Sequence, residues 1–129
     1  VKLDHDCVRD VLLTVEAATR GQLRLPYLCR QLPQYDEDAL NYTCLKLSEG
    51  GYLDAEIHAV CGETFPALIW INSMTYQGHE FLDTIRDDTN WGRVKATAKK
   101  AGVFSMSALA EISQGVAQAA ITAALQGHL

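Results

Sequence analysis

LPQYDEDALNYTCLKLSEGGYLDAEIHAV, residues 32–60, changes its hydrophobic period once, and that change decides the fold class. Asp36 is placed to cap a helix, Glu37 and Asp38 put negative charge against its positive end, and Leu40, Cys44 and Leu47 recur at helical spacing. Gly50 and Gly51 stop that helix, because glycine accepts the left-handed conformation of a helix C-terminus without a steric penalty. After them the period falls to two. Leu53, Ala55, Ile57 and Ala59 face one way and Asp54, Glu56 and His58 the other, the pattern of a half-buried strand. CGETFP (61–66) turns the chain, and ALIWINSM (67–74) returns as a second strand, apolar on both faces and therefore expected to be more covered.

Upstream, Asp4 can cap a helix carrying Val8, Val11, Leu12 and Val15 on one face, which Gly21 closes. QLRL alternates and fits a short strand, with Leu23 and Leu25 on one side. YLCRQL, between Pro26 and Pro33, has room for little more than one helical turn. Downstream, Thr75 caps a helix through Arg86 that buries Phe81, Leu82 and Ile85. Thr89 or Asn90 starts the next, with Trp91, Val94 and Ala98 inward and Gly102 at its end. Ser105 or Ser107 caps a long final helix reaching about Gln126. The order predicts an α+β fold: a winged helix-turn-helix-like core with a β-hairpin wing, plus a C-terminal helical extension. The helix from Asp36 to Glu49 takes the recognition position and CGETFP the wing. We expect one domain over residues 1–129, its core over 1–88 and a two-helix extension over 89–129.

A chain of 129 residues can bury one core, and 48% hydrophobic with 21% charged residues is ordinary for a globular protein. Cys7, Cys29, Cys44 and Cys61 are widely spread and form no C-x-x-C pair, so they read as reduced, mostly buried thiols of a cytoplasmic protein. The longest apolar tract, GVAQAAITAALQ, is too short and too alanine-rich for a membrane span. Net charge is −5, and the acid is concentrated between Gln31 and Trp91, where Lys46 and Arg86 face a large excess of Asp and Glu. Basic residues gather at Arg20, Arg24 and Arg30, and at Arg93, Lys95, Lys99 and Lys100.

MTYQGHEFLD, residues 74–83, comes close to the HExxH zinc-protease signature, with His79 and Asp83 at i and i+4. Asp83 stands where the second histidine belongs, and His5, His58 and His128 lie at no diagnostic spacing. We therefore read the segment as a corner that locks the fold, with Thr75 capping and Gly78 permitting close backbone approach. No phosphate loop and no GxSxG elbow is present. No cofactor, metal or catalytic residue is assigned, and enzymatic chemistry, such as a hydrolase with an unrecognised polar or metal site, ranks third.

GHEFLDTIRDDTNW (78–91), preceded by MTYQ and followed by GRVKATAKK, resembles the hallmark of a bacterial and phage or prophage family, domain of unknown function 2513. KLDHDCVRDVLLTVE (2–16) and LPQYDEDALNYTCLKLSEGGYLDA (32–55) resemble it as well. The resemblance implies a small winged-helix-like protein of bacteria or their phages, and it transfers no catalytic residue.

Two binding roles compete. A DNA reader would use Asn41, Tyr42 and Lys46 with Arg93, Lys95, Lys99 and Lys100, but Asp36, Glu37, Asp38 and Glu49 on the same recognition helix repel phosphate, and Glu63 in the wing adds to this. Protein association fits the composition better. Leu109, Ile112, Val116 and Ala120 form an apolar face on the final helix, and Gly115, Ala119 and Ala123 let another helix approach closely. That face either folds back on its own chain or pairs two chains as a homodimer. We expect a protein-interaction module whose partner the sequence does not name.

Overall fold

The computed structural model describes residues 2–18, 23–59 and 66–127. Among these are six α-helices and a two-stranded antiparallel sheet, an α+β fold. Gly21 as the close of the first helix, the cation Arg20, Cys61, the turn 61–65 with Glu63, and His128 lie outside the described residues. By packing the chain falls into two compact units, one up to His79 and one from Glu80 onward.

In the first unit, α1 (His5–Ala17) starts where Asp4 accepts hydrogen bonds from the Asp6 and Cys7 amides. Cys7, Val8, Val11 and Leu12 are buried on its inner face. Leu23 then makes a single antiparallel bridge to Ile71, each amide donating to the other's carbonyl at 2.9 and 2.7 Å. The strand expected through QLRL goes no further, because Leu25 already begins α2 (Leu25–Gln31) with Pro26 in its first turn. Proline is tolerated there, since its missing N–H is one that a helix start leaves unpaired anyway. Its presence therefore opened the helix earlier than expected.

Helix α3 (Glu37–Glu49) is capped by Asp36, whose carboxylate accepts from the Ala39 amide at 2.7 Å. Leu40, Cys44 and Leu47 are all buried. At its end Gly51 holds φ 82°, the left-handed conformation that reverses the chain into β1 (Leu53–His58). β1 pairs with β2 (Ala67–Met74) antiparallel, but the register runs Leu53 to Met74, Ala55 to Ile71 and Ile57 to Leu68. Two shifts skip positions 69 and 72 of β2. Each shift resets the two-residue alternation. Buried Leu68, Ile71 and Met74 thus recur every third residue, opposite the core-facing side of β1. This explains why β2 looks apolar on both faces when read as a regular strand.

Helix α4 (Tyr76–Ile85) begins at a tied corner. Thr75 N–H donates to Tyr52 O at 3.2 Å, Thr75 Oγ1 donates to Gly51 O, and the Gly78 amide donates back to Thr75 Oγ1 at 3.0 Å. Gly78 lies directly against the Tyr52 carbonyl, with no room for a Cβ.

The second unit contains the rest of α4 with buried Phe81, Leu82 and Ile85. Helix α5 (Asp88–Ala101) follows, ending at Gly102 with φ 75°. Its cap is Asp87, which accepts from the Asn90 amide at 2.9 Å, rather than the expected Thr89 or Asn90. Helix α6 (Met106–Leu125), capped by Ser105, packs against α5.

Candidate interaction surfaces

The segment that resembles HExxH spreads its polar side chains over the surface. His79, Glu80 and Asp83 are exposed, Asp83 pairs with Arg86 at 2.7 Å, and no group of three or more His, Cys, Asp or Glu among the described residues could hold a metal ion. What the segment supplies is the corner at Thr75 and Gly78.

On α3 the polar positions proposed to read DNA are already engaged. Asn41 Nδ2 donates to Pro66 O at 3.1 Å and its Oδ1 accepts from the Leu68 amide at 2.9 Å, so both ends of the amide hold the start of β2. Lys46 pairs with Glu49 at 2.8 Å and sits 5.4 Å from the centre of the Tyr42 ring. The hydrogen bond to Glu49 raises the Lys46 pKa. Glu37 and Asp38 stay exposed in the first turn. The outer face of α3 is therefore acidic, with its cation tied down.

The α5 cations are placed differently. At about 100° per residue, buried Trp91, Val94 and Ala98 share one side of the helix. Arg93, Lys95, Lys99 and Lys100 are all exposed on the remaining arc. Lys95 Nζ lies over the Trp91 ring, 5.6 Å from its centre, a cation–π contact. Arg24 makes a comparable contact in the first unit, 5.8 Å from the Trp70 ring.

The expected self-association face of α6 changes character along the helix. Leu109 is buried, Ile112 and Val116 are half-buried, and Ala120 is exposed. Sequence reasoning missed Ser113, which is fully buried. Its hydroxyl donates to Ala110 O at 2.9 Å and lies 2.9 Å from the Thr84 hydroxyl. Serine in an apolar stripe gives no periodic signal, so only the tertiary partner reveals it. Beyond Val116 the helix leaves its packing: Ile121 is 51% and Leu125 83% exposed, with no charged residue between Ile112 and Gly127.

Cys7 and Cys44 sit in the core of the first unit, and Cys29 is half-buried. Burial pushes the Cys7 thiol up to about 11 and Cys44 up to about 12, and it raises Cys29 as well. The Thr43 hydroxyl, 3.3 Å from Cys7 Sγ, donates to Ala39 O at 2.7 Å. Cys7 and Cys44, buried in this way, act as small apolar core fillers.

These features define an α+β protein with a helix-and-hairpin unit followed by a helical unit, and no helix of it is long and apolar enough to cross a membrane among the described residues. The chain belongs to the family described as Hypothetical protein (DUF2513), which matches residues 2–104. It is similar to an uncharacterized protein of Haemophilus influenzae, 29% identical over 117 residues, with 90% of this chain and 95% of that relative covered. No solved structure matches. The family match ends just before Ser105, so α6 lies beyond it.

Proposed function

We propose that this protein is a non-enzymatic interaction module of winged-helix type from a bacterium or phage, acting in the cytoplasm and pairing with a second copy of itself through α6. The winged-helix assignment is supported by the order helix, bridging residue, two helices and hairpin, with Leu23 joined to β2 as the third line of the sheet. The bacterial or phage setting is what the sequence resemblance implies, and the relative from Haemophilus influenzae supports its bacterial side.

The observation that carries the pairing is the exposed, charge-free second half of α6. Exposed apolar surface costs about 25 cal/mol per Å² relative to burial. A second copy covers it without bringing like charges together, even though each chain carries −5. Exposed Ala120 and Ala124 lie beside Ile121 and Leu125 on the helix surface and keep it low, so two helices can approach closely. Ala120→Glu tests this, since the position is exposed and its change leaves the core intact. Light scattering after size exclusion is expected to show wild-type dimers and Ala120→Glu monomers; wild-type monomers would overturn the proposal.

A second reading, a DNA-binding regulator, is favoured by the α5 arc, where Asp88 is the helix's one acidic residue among four cations. Phosphate contacts would make binding weaken steeply with salt. Anisotropy of labelled duplex DNA at low and near-physiological salt separates the readings: salt-sensitive binding supports the regulator, and no binding at low salt removes it.

A further inference from the structure

A groove of about 280 Å³ lies along α1 and α2, apart from every surface considered above. Asp10, Leu13, Thr14 and Ala17 line it from α1, at the i, i+3, i+4 and i+7 spacing that puts residues on one helix face. Tyr27 and Gln31, one turn apart on α2, and Leu32 complete it. The volume is near the lower end for small-molecule sites.

The chemistry of the lining is one-sided. Among the described residues the lining includes no Lys, Arg or His, and its charged group is the Asp10 carboxylate. Asp10 Oδ2 accepts from the Tyr35 hydroxyl at 2.7 Å, a neutral donor that orients the carboxylate without neutralising it. Thr14 Oγ1 donates its proton to Asp10 O at 2.8 Å, which leaves the hydroxyl's lone pairs for a ligand. Gln31 adds a side-chain amide, whose oxygen can accept, and Leu13, Ala17 and Leu32 add apolar wall beside Tyr27. Acceptors and one negative charge favour a donor-rich cation.

We propose that this groove binds a primary ammonium group carried on a short apolar chain. The ammonium pairs with Asp10, its remaining protons go to Thr14 and Gln31, and the chain lies against Leu13, Leu32 and Tyr27. The same chemistry occurs in a free organic amine and in a lysine side chain of a partner protein. The site does not depend on pairing through α6.

Amide NMR spectra of the ¹⁵N-labelled protein, titrated with n-butylammonium, with n-butanol and with Nα-acetyl-lysine N-methylamide, test the proposal. n-Butylammonium is expected to shift amides of α1 and α2 saturably, with n-butanol weaker by about tenfold, the scale of one charged hydrogen bond. Asp10→Asn, which keeps an acceptor for Tyr35, is expected to weaken the ammonium by a similar factor and leave n-butanol unchanged. Tighter binding of the blocked lysine would assign the site to a partner's side chain, and tighter binding of n-butylammonium to a free amine; both support the proposal. Absence of saturable shifts with either ammonium, or equal affinity for n-butanol in the unmodified protein, would overturn it.

Discussion

Replacing Gly78 by alanine is expected to destabilise the first unit, although alanine is the better helix former. Helix propensity alone would favour alanine by at most about 1 kcal/mol. Against that, a Cβ at Gly78 would collide with the Tyr52 carbonyl oxygen and come within 2.6 Å of Met74 Cγ and 3.1 Å of the Tyr52 carbonyl carbon. The methionine side chain can move, but the carbonyl is backbone, held by the Thr75 amide at 3.2 Å. Relieving the overlap means shifting α4 from the strand corner, at about 1–3 kcal/mol for overpacking, with about 1 kcal/mol for each hydrogen bond loosened at Thr75. The net expectation is a loss of about 1–3 kcal/mol. Gly92 is the control: it lies in α5, and a Cβ added there would meet nothing within 4 Å, so Gly92→Ala is expected to gain about 0.5–1 kcal/mol. Urea titrations followed by circular dichroism would compare the midpoints of the two variants. A Gly78→Ala midpoint equal to or above wild type would refute the tied corner as the reason for glycine there.

Asn41→Ala is expected to cost about 1–3 kcal/mol, because it removes both hydrogen bonds to β2 and leaves the Leu68 amide, in a buried residue, without its acceptor; thermal melts check it, and an unchanged melting temperature would show that the amide is dispensable. Cys7 and Cys44 have folded-state values raised above the ordinary thiol range, so the protonated form is favoured by folding. Their contribution is full below the unfolded thiol value and falls as pH rises through that value toward about 11 and about 12. Stability measured across the alkaline range, from neutral pH up to the Cys7 value of about 11, is therefore expected to decline, less so in a Cys7→Ser, Cys44→Ala protein. Iodoacetamide at mildly alkaline pH is expected to modify half-buried Cys29 before either of them, as read by peptide mass mapping.

The helix-to-strand change at Gly50 and Gly51 was legible because caps, charge and period agreed over a long stretch. Local signals of equal strength were harder to rank. Asp87, Asp88, Thr89 and Asn90 are all good capping residues, and the choice of Asp87 depends on its carboxylate reaching the Asn90 amide. QLRL alternates like a strand, yet Pro26 makes Leu25 a helix start. β2 hid its inward face because two register shifts break the period on which a strand reading relies. The candidate sites were less legible still. Asn41 has the chemistry of a base reader and spends both polar ends on β2, while Ser113 owes its burial to α6 packing that no single-residue pattern records. Exposure along α6 depends on where its packing stops, and the evenly apolar segment after Gly115 does not mark that point.

Sedimentation equilibrium of the unmodified protein over a wide concentration range tests the central proposal most directly. Pairing through α6 predicts a mass rising toward twice the 14.2 kDa chain mass, unaffected by added salt because the buried face is uncharged. A mass that stays at one chain throughout would contradict it, as would association that disappears when salt is raised.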